Sequence, residues 1–179
     1  MLRIEIPPVE VFDEDTSTFA ETKPVVLSLE HSLMSVSKWE SRWCVPFLSK
    51  EEKSSQQMRD YVKCMTLTQN VDDSVYDLLT QENVELITKY IEAPMTATTI
   101  KDVGRRSREI VTSEVIYSWM VILNIPFDPC QKWHLNRLLT LVAVCNEKQQ
   151  DPKKLKGRAL ARSNAELNRQ RRAMHNTTG

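Results

Sequence analysis

The sequence predicts a mainly α fold with a small β component, of the α+β class: a helical domain with short N-terminal strands or a hairpin, and a basic C-terminal tail. Three observations lead there. Apolar residues alternate with period two near the start and then recur at helical spacing as far as about position 149. Only 3 Gly stand against 8 Pro in 179 residues, too few for a many-turned β barrel or a phosphate-cradling loop. Beyond Gln150 large apolar residues become scarce and Lys and Arg take over. The expected organisation is therefore a β and acidic segment over 1–30, a helical core over 31–149, and a tail over 150–179 that is disordered alone or helical on docking.

Leu2, Ile4 and Ile6 alternate with Arg3 and Glu5, and Val9 to Phe12 alternate again after Pro7-Pro8, which predicts two short strands. The acidic stretch from Asp13 to Thr18 reads as a turn, with Pro24 to Leu29 pairing back beyond it in a small sheet. Ser32 caps a helix marked by Leu33, Val36 and Trp39 and ending before Pro46. Ser54 or Ser55 opens a second helix on Met58, Tyr61, Val62 and Met65. Val75, Leu78 and Leu79 mark a short helical turn, and Thr80 caps a helix carrying Val84, Ile87, Tyr90 and Ile91 up to Pro94.

The β-branched run from Met95 to Ile100 suggests a strand, with Ile110 to Thr112 as its hairpin partner across Gly104. Ser113 is placed to cap a helix with two adjacent apolar stripes, Val115, Trp119, Ile122 and Ile116, Met120, Leu123, which predicts a central, mostly buried helix. Asp128 and Pro129 sit as cap and first residue of a helix running through Trp133, Leu135, Leu138, Leu139 and Val142 to about Glu147. In the tail, Ser163 to Glu166 resembles a capping box, so 164–174 is a candidate docking helix.

One core of ordinary size fits this length, with hydrophobic residues at 41% and charged residues at 27%. The formal net charge of +0 hides a polarity: residues 1–30 hold seven acids and two bases, and 151–179 hold eight bases and two acids. Cys44, Cys64, Cys130 and Cys145 have no close pairing pattern, and the start lacks a basic segment followed by an apolar one, which predicts reduced thiols in a non-secreted protein. No apolar run reaches the roughly 18 residues of a membrane span, so no membrane partner is expected.

No chemistry-bearing pattern emerges. Cys130 and His134, four apart, would share a helix face and offer two zinc ligands, but no second pair accompanies them and structural zinc sites take four. Three His, with no glycine-flanked Ser or Cys, do not compose a nucleophile and base. Asp13, Glu14 and Asp15 lack the alternation, central Gly and terminal Glu of a calcium loop. The expectation is no catalytic residue, no metal and no cofactor.

Partner-binding candidates are of two kinds. Trp119 and Trp133 read as core. Trp39 and Trp43, flanked by Lys38, Glu40 and Arg42, are candidate interface anchors. The tail bases Lys153, Lys154, Lys156, Arg158, Arg162, Arg169, Arg171 and Arg172 suit an acidic protein surface or phosphates, although no aromatic is interleaved to stack on bases.

A resemblance adds to this reading. It is carried by Leu29-Glu30-His31-Ser32-Leu33, Ser37-Lys38-Trp39-Glu40-Ser41, the run from Tyr61 to Val71, Pro94 to Thr99, Ile110 to Glu114, and Asn124 to Phe127 with Cys130 to Leu139. Over about two thirds of its length, residues 27–145, the chain resembles small proteins of the tail-morphogenesis region of double-stranded DNA phages of Gram-positive hosts. Such proteins look like tail assembly chaperones. The resemblance implies a non-enzymatic assembly factor that binds tape-measure or tail-tube protein, with self-association as a further expectation, working in the host cytoplasm or carried in the virion. The alternatives are a structural component of the tail or head–tail junction, and a nucleic-acid binder acting through the tail. No catalytic residue comes with the resemblance.

Overall fold

The structure, a computed structural model, describes residues 1–8, 10–13, 18–21, 23–98, 110–149, 161–162, 164–169 and 171. The fold is mainly α with a small β component. Residues 1–142 form one compact unit and 143–179 a second. Strand β1 (Leu2–Ile6) pairs antiparallel with β4 (Val25–Leu29), Ile4 opposite Leu27. Between them β2 (Glu10–Asp13) pairs with β3 (Thr18–Glu21) in a separate ribbon. The segment at 24–29 thus returns to β1 rather than to β2, and β3 occupies the end of the expected turn. The pleat explains the first pairing: Ile4, Ile6, Leu27 and Leu29 all point to the core, and a one-residue slip of either strand would turn its pair to the other face.

The other edge of β4 is covered by the chain leaving the second helix. Glu30 N–H donates to the Met65 carbonyl at 2.9 Å, Leu67 N–H to Ser28 at 2.8 Å, and Ser28 N–H to Thr68 Oγ1 at 2.9 Å. Helix α1 (Leu33–Trp43) is opened by a Ser32–Ser35 capping box and closed by Cys44 in the left-handed region, φ 52°, whose N–H returns to the Glu40 carbonyl. Helix α2 (Ser55–Met65) opens on the Ser54–Gln57 box, a 3-10 helix covers Asp73–Leu78, and α3 (Gln81–Glu92) opens on the Thr80–Asn83 box. These starts lie where side-chain capping predicts them.

Helix α4 (Ser113–Ile122) begins one residue earlier than expected, because Thr112 is the cap, its hydroxyl accepting from the Val115 N–H. It ends in a Schellman turn: Asn124 at φ 55° donates to Val121, and Ile125 donates to Met120 at 2.8 Å. Only one of its two apolar stripes is buried. Ile116 and Met120 face the core, whereas Val121 and Ile122 are 63% and 67% exposed and Trp119 is half-buried. The helix lies on the surface rather than at the centre, and α1, with Leu33, Val36 and Trp39 all at 0%, holds the central place.

The expected helix from Pro129 is two elements, α5 (Phe127–Cys130) and α6 (Leu135–Gln149). The break has a tertiary cause. Met34 N–H donates to the Gln131 carbonyl, Ser32 and His134 form an antiparallel bridge, and Leu135 N–H donates to the His31 carbonyl at 2.7 Å. His134 is drawn into strand-like pairing with the β4–α1 junction, and the helical turns made by residues 131–133 end there. The expected hairpin at 95–112 is not a strand at Met95–Thr98 or Ile110–Thr112; its remainder lies outside the described residues. No helix among the described residues is long and apolar enough to cross a membrane.

Candidate interaction surface and histidine clamp

The two tryptophans singled out as anchors separate. Trp39 is 0% exposed, packs edge-on against Phe47 and donates its indole N–H to the Gln57 carbonyl at 2.8 Å, so it is a core residue and no anchor for a partner. Of its charged neighbours in sequence, Lys38 and Arg42 are exposed on other faces of the helix, whereas Glu40 is buried with it. Trp43 stacks on Trp39, is half-buried, and donates to Asp60 Oδ2 at 3.0 Å. With Arg59, Asp60 and Lys63 it walls a cavity of about 200 Å³.

Arg59 and Asp77, paired to each other, line both this cavity and a cleft of about 370 Å³ between α2, the 3-10 helix and α3. The cleft floor is apolar, with Met58, Val62, Leu79, Val84 and Ile87. Basic groups along this side are matched: Arg42 with Asp60 at 2.6 Å, Lys63 with Asp73 at 3.1 Å. An aromatic and charged cavity thus lies beside a cleft lined by both apolar and polar side chains.

Of the tail bases, Arg162, Arg169 and Arg171 are helical and exposed. Helical residues already occur at 161–162, ahead of the expected start at 164. Lys153, Lys154, Lys156, Arg158 and Arg172 lie outside the described residues.

Two polar constellations escaped the sequence reading. Glu40 is buried, its Oε1 accepting from the Phe47 N–H at 2.8 Å and its Oε2 from the Ser113 N–H at 2.7 Å. Its signal was an acid four residues after Val36, on the buried stripe of α1. The second centres on His31 and His134, both buried, with ring centroids 5.0 Å apart. His31 Nδ1 is hydrogen-bonded to the Tyr61 hydroxyl. His134 Nδ1 accepts from the Asn136 N–H at 3.3 Å and Nε2 donates to the Tyr90 carbonyl at 3.0 Å, which selects the neutral ring protonated at Nε2. Asn136 Nδ2 donates to Ile91 at 3.0 Å and Ala93 at 2.8 Å, and the Tyr90 hydroxyl to Glu30 at 2.7 Å. The His-Leu-Asn segment closes the C-terminal end of α3 as a cap supplied from a distant part of the chain.

Burial, helped by the neighbouring His134, pushes His31 down to about 3. Burial also lowers His134, against the pull of its hydrogen bond to Tyr90 and of Glu30. Burial raises the Tyr61 and Tyr90 phenols. Both imidazoles are neutral at pH 7 and form a packing and bonding unit.

Cys130 and His134 do not share a helix face as their spacing suggested. Cys130 ends α5, and His134 lies in the bridged segment with its ring committed to Tyr90. Among the described residues no three His, Cys, Asp or Glu side chains are grouped to hold a metal, and Cys44, Cys64, Cys130 and Cys145 are free thiols. Comparison with protein-family models, curated proteins and solved structures finds no match for the chain.

Proposed function

We propose that this chain is a non-enzymatic phage assembly factor, a tail assembly chaperone whose helical unit binds tape-measure or tail-tube protein. The observation that carries the reading is the resemblance over residues 27–145. Its residues Glu30, His31, Trp39, Glu40, Tyr61, His134 and Asn136 are also those whose contacts join α1, α2, α3 and α4. Supporting an interaction role are the Trp43 rim, the apolar cleft beside it, and the opposite charges of the two chain ends, which steer encounter and orientation.

The site of action in this reading is the host cytoplasm. Mass spectrometry of purified virions tests it: a chaperone is absent or present in trace amounts, whereas a stoichiometric band makes the chain a structural component of the tail or head–tail junction. A nucleic-acid role through the basic tail is separated by salt, since neutralising several phosphates makes affinity fall steeply with ionic strength on any DNA sequence.

A further inference from the structure

Helix α3 is fastened by polar bonds at its ends more than by apolar packing. Ile87 is its one buried apolar side chain, and Val84 and Leu86 are each 43% exposed. Much of its α2-facing side borders the 370 Å³ cleft instead of packed atoms, which marks it as a low-stability element. Its first turn is tied by Asn83 Nδ2 donating to the Glu5 carbonyl at 3.2 Å. Its last turn depends on His134, Asn136 and the Tyr90–Glu30 bond.

We propose that α3 is an acid-released flap: protonation of the His31–His134 pair detaches its C-terminal end and opens the cleft between α2 and α3. A proton added at His134 Nδ1 turns an acceptor into a donor pointed at the Asn136 N–H, and that bond is lost. The new charge sits in a buried site beside a second imidazole. Asn136 moves with it, and with Asn136 go the bonds to Ile91 and Ala93. The titratable and charged groups facing the pair are Tyr61 from α2, Tyr90 from α3, Glu30 from the β4–α1 junction, and the Met1 amino group paired with Glu30 at 2.9 Å. The Tyr90 carbonyl and Glu30 favour a charge on His134, against the Met1 amino group, whereas His31 has only the Tyr61 hydroxyl and no carboxylate beside it, so His134 protonates first. In the released state the His134 ring, which alone of the two bonds α3, regains ordinary affinity for protons, so release is favoured as pH falls below about 6.5.

Hydrogen exchange on the full chain between pH 7.5 and 5 tests this, with rates corrected for intrinsic pH dependence. Protection of amides in α3 should fall by up to about tenfold per pH unit, one proton's worth, through an opening that leaves α1 and α2 folded, so that amides of α1 and α2 stay better protected than those of α3 at every pH. His134→Gln, which retains a donor for Tyr90, should flatten that dependence. Ring nitrogen shifts of the unsubstituted protein keep the idea testable should that variant not fold: His134 should be the neutral Nε2–H form at pH 7.5 and titrate with the loss of α3 protection. Protection of α3 unchanged down to pH 5, loss of all helices at one midpoint, or an Nδ1–H form of His134 would overturn the proposal.

Discussion

Glu40 and Ser113, 73 positions apart, are joined by a 2.7 Å hydrogen bond from the Ser113 N–H to a buried carboxylate. The same carboxylate takes the Phe47 N–H. One acid thus caps α4, fixes the loop after α1, and holds the two helices together.

Glu40→Ala leaves two N–H groups without that acceptor and should destabilise the fold by about 3 kcal/mol, since hydrogen bonds to charged groups contribute roughly 1.5–3 each. Glu40→Gln, which can keep one acceptor, should cost about half as much. Urea unfolding checks both. A loss under about 1 kcal/mol for the alanine variant would mean that water replaces the carboxylate.

Trp39→Ala should cost roughly 3–5 kcal/mol, the usual range for a fully buried Trp, and Trp119→Ala no more than about 2. The order follows from burial, Trp39 at 0% and Trp119 half-buried. Equal losses in thermal and urea unfolding would place α4, not α1, at the centre.

Stability should fall with acid in a defined window. His31 is neutral when folded and ordinary when unfolded, so below about pH 6.5 the unfolded chain binds the extra proton. The loss is about 1.4 kcal/mol per pH unit and continues toward the folded value of about 3; His134 adds a loss of the same sign. His31→Gln should reduce the slope by one proton. Urea unfolding at several pH values measures it, and a slope unchanged by that substitution would remove His31 from the explanation.

Local signals made the helix starts readable. Ser32, Ser54 and Thr80 each cap the helix whose apolar spacing follows them, because capping and periodicity are settled within a few residues. Long-range pairing was not readable. Residues 129–147 carry an unbroken helical pattern, yet the pairing of His134 with Ser32 and of Leu135 with His31 overrides it at 131–134. The same holds for burial on α4, where two apolar stripes compete and only packing against α1 decides which is covered. On the surface, Trp43 was found by residue type, whereas the Arg59–Asp77 pair that joins its cavity to the cleft comes from two segments with no shared local pattern.

Binding of purified full-length chain, and of a truncation ending at residue 150, to purified tape-measure and tail-tube proteins tests the interaction role most directly, by calorimetry over a range of salt. Large apolar periodic positions precede Gln150, so the truncation should keep near-native thermal unfolding. It loses eight bases and two acids, leaving a net charge of about −6, so its affinity should drop roughly tenfold or more, and the full chain's affinity should weaken with salt. Failure of the full-length chain to bind either protein would contradict the assembly role, and a truncation that unfolds or aggregates would assign the tail to the fold instead of to partner binding.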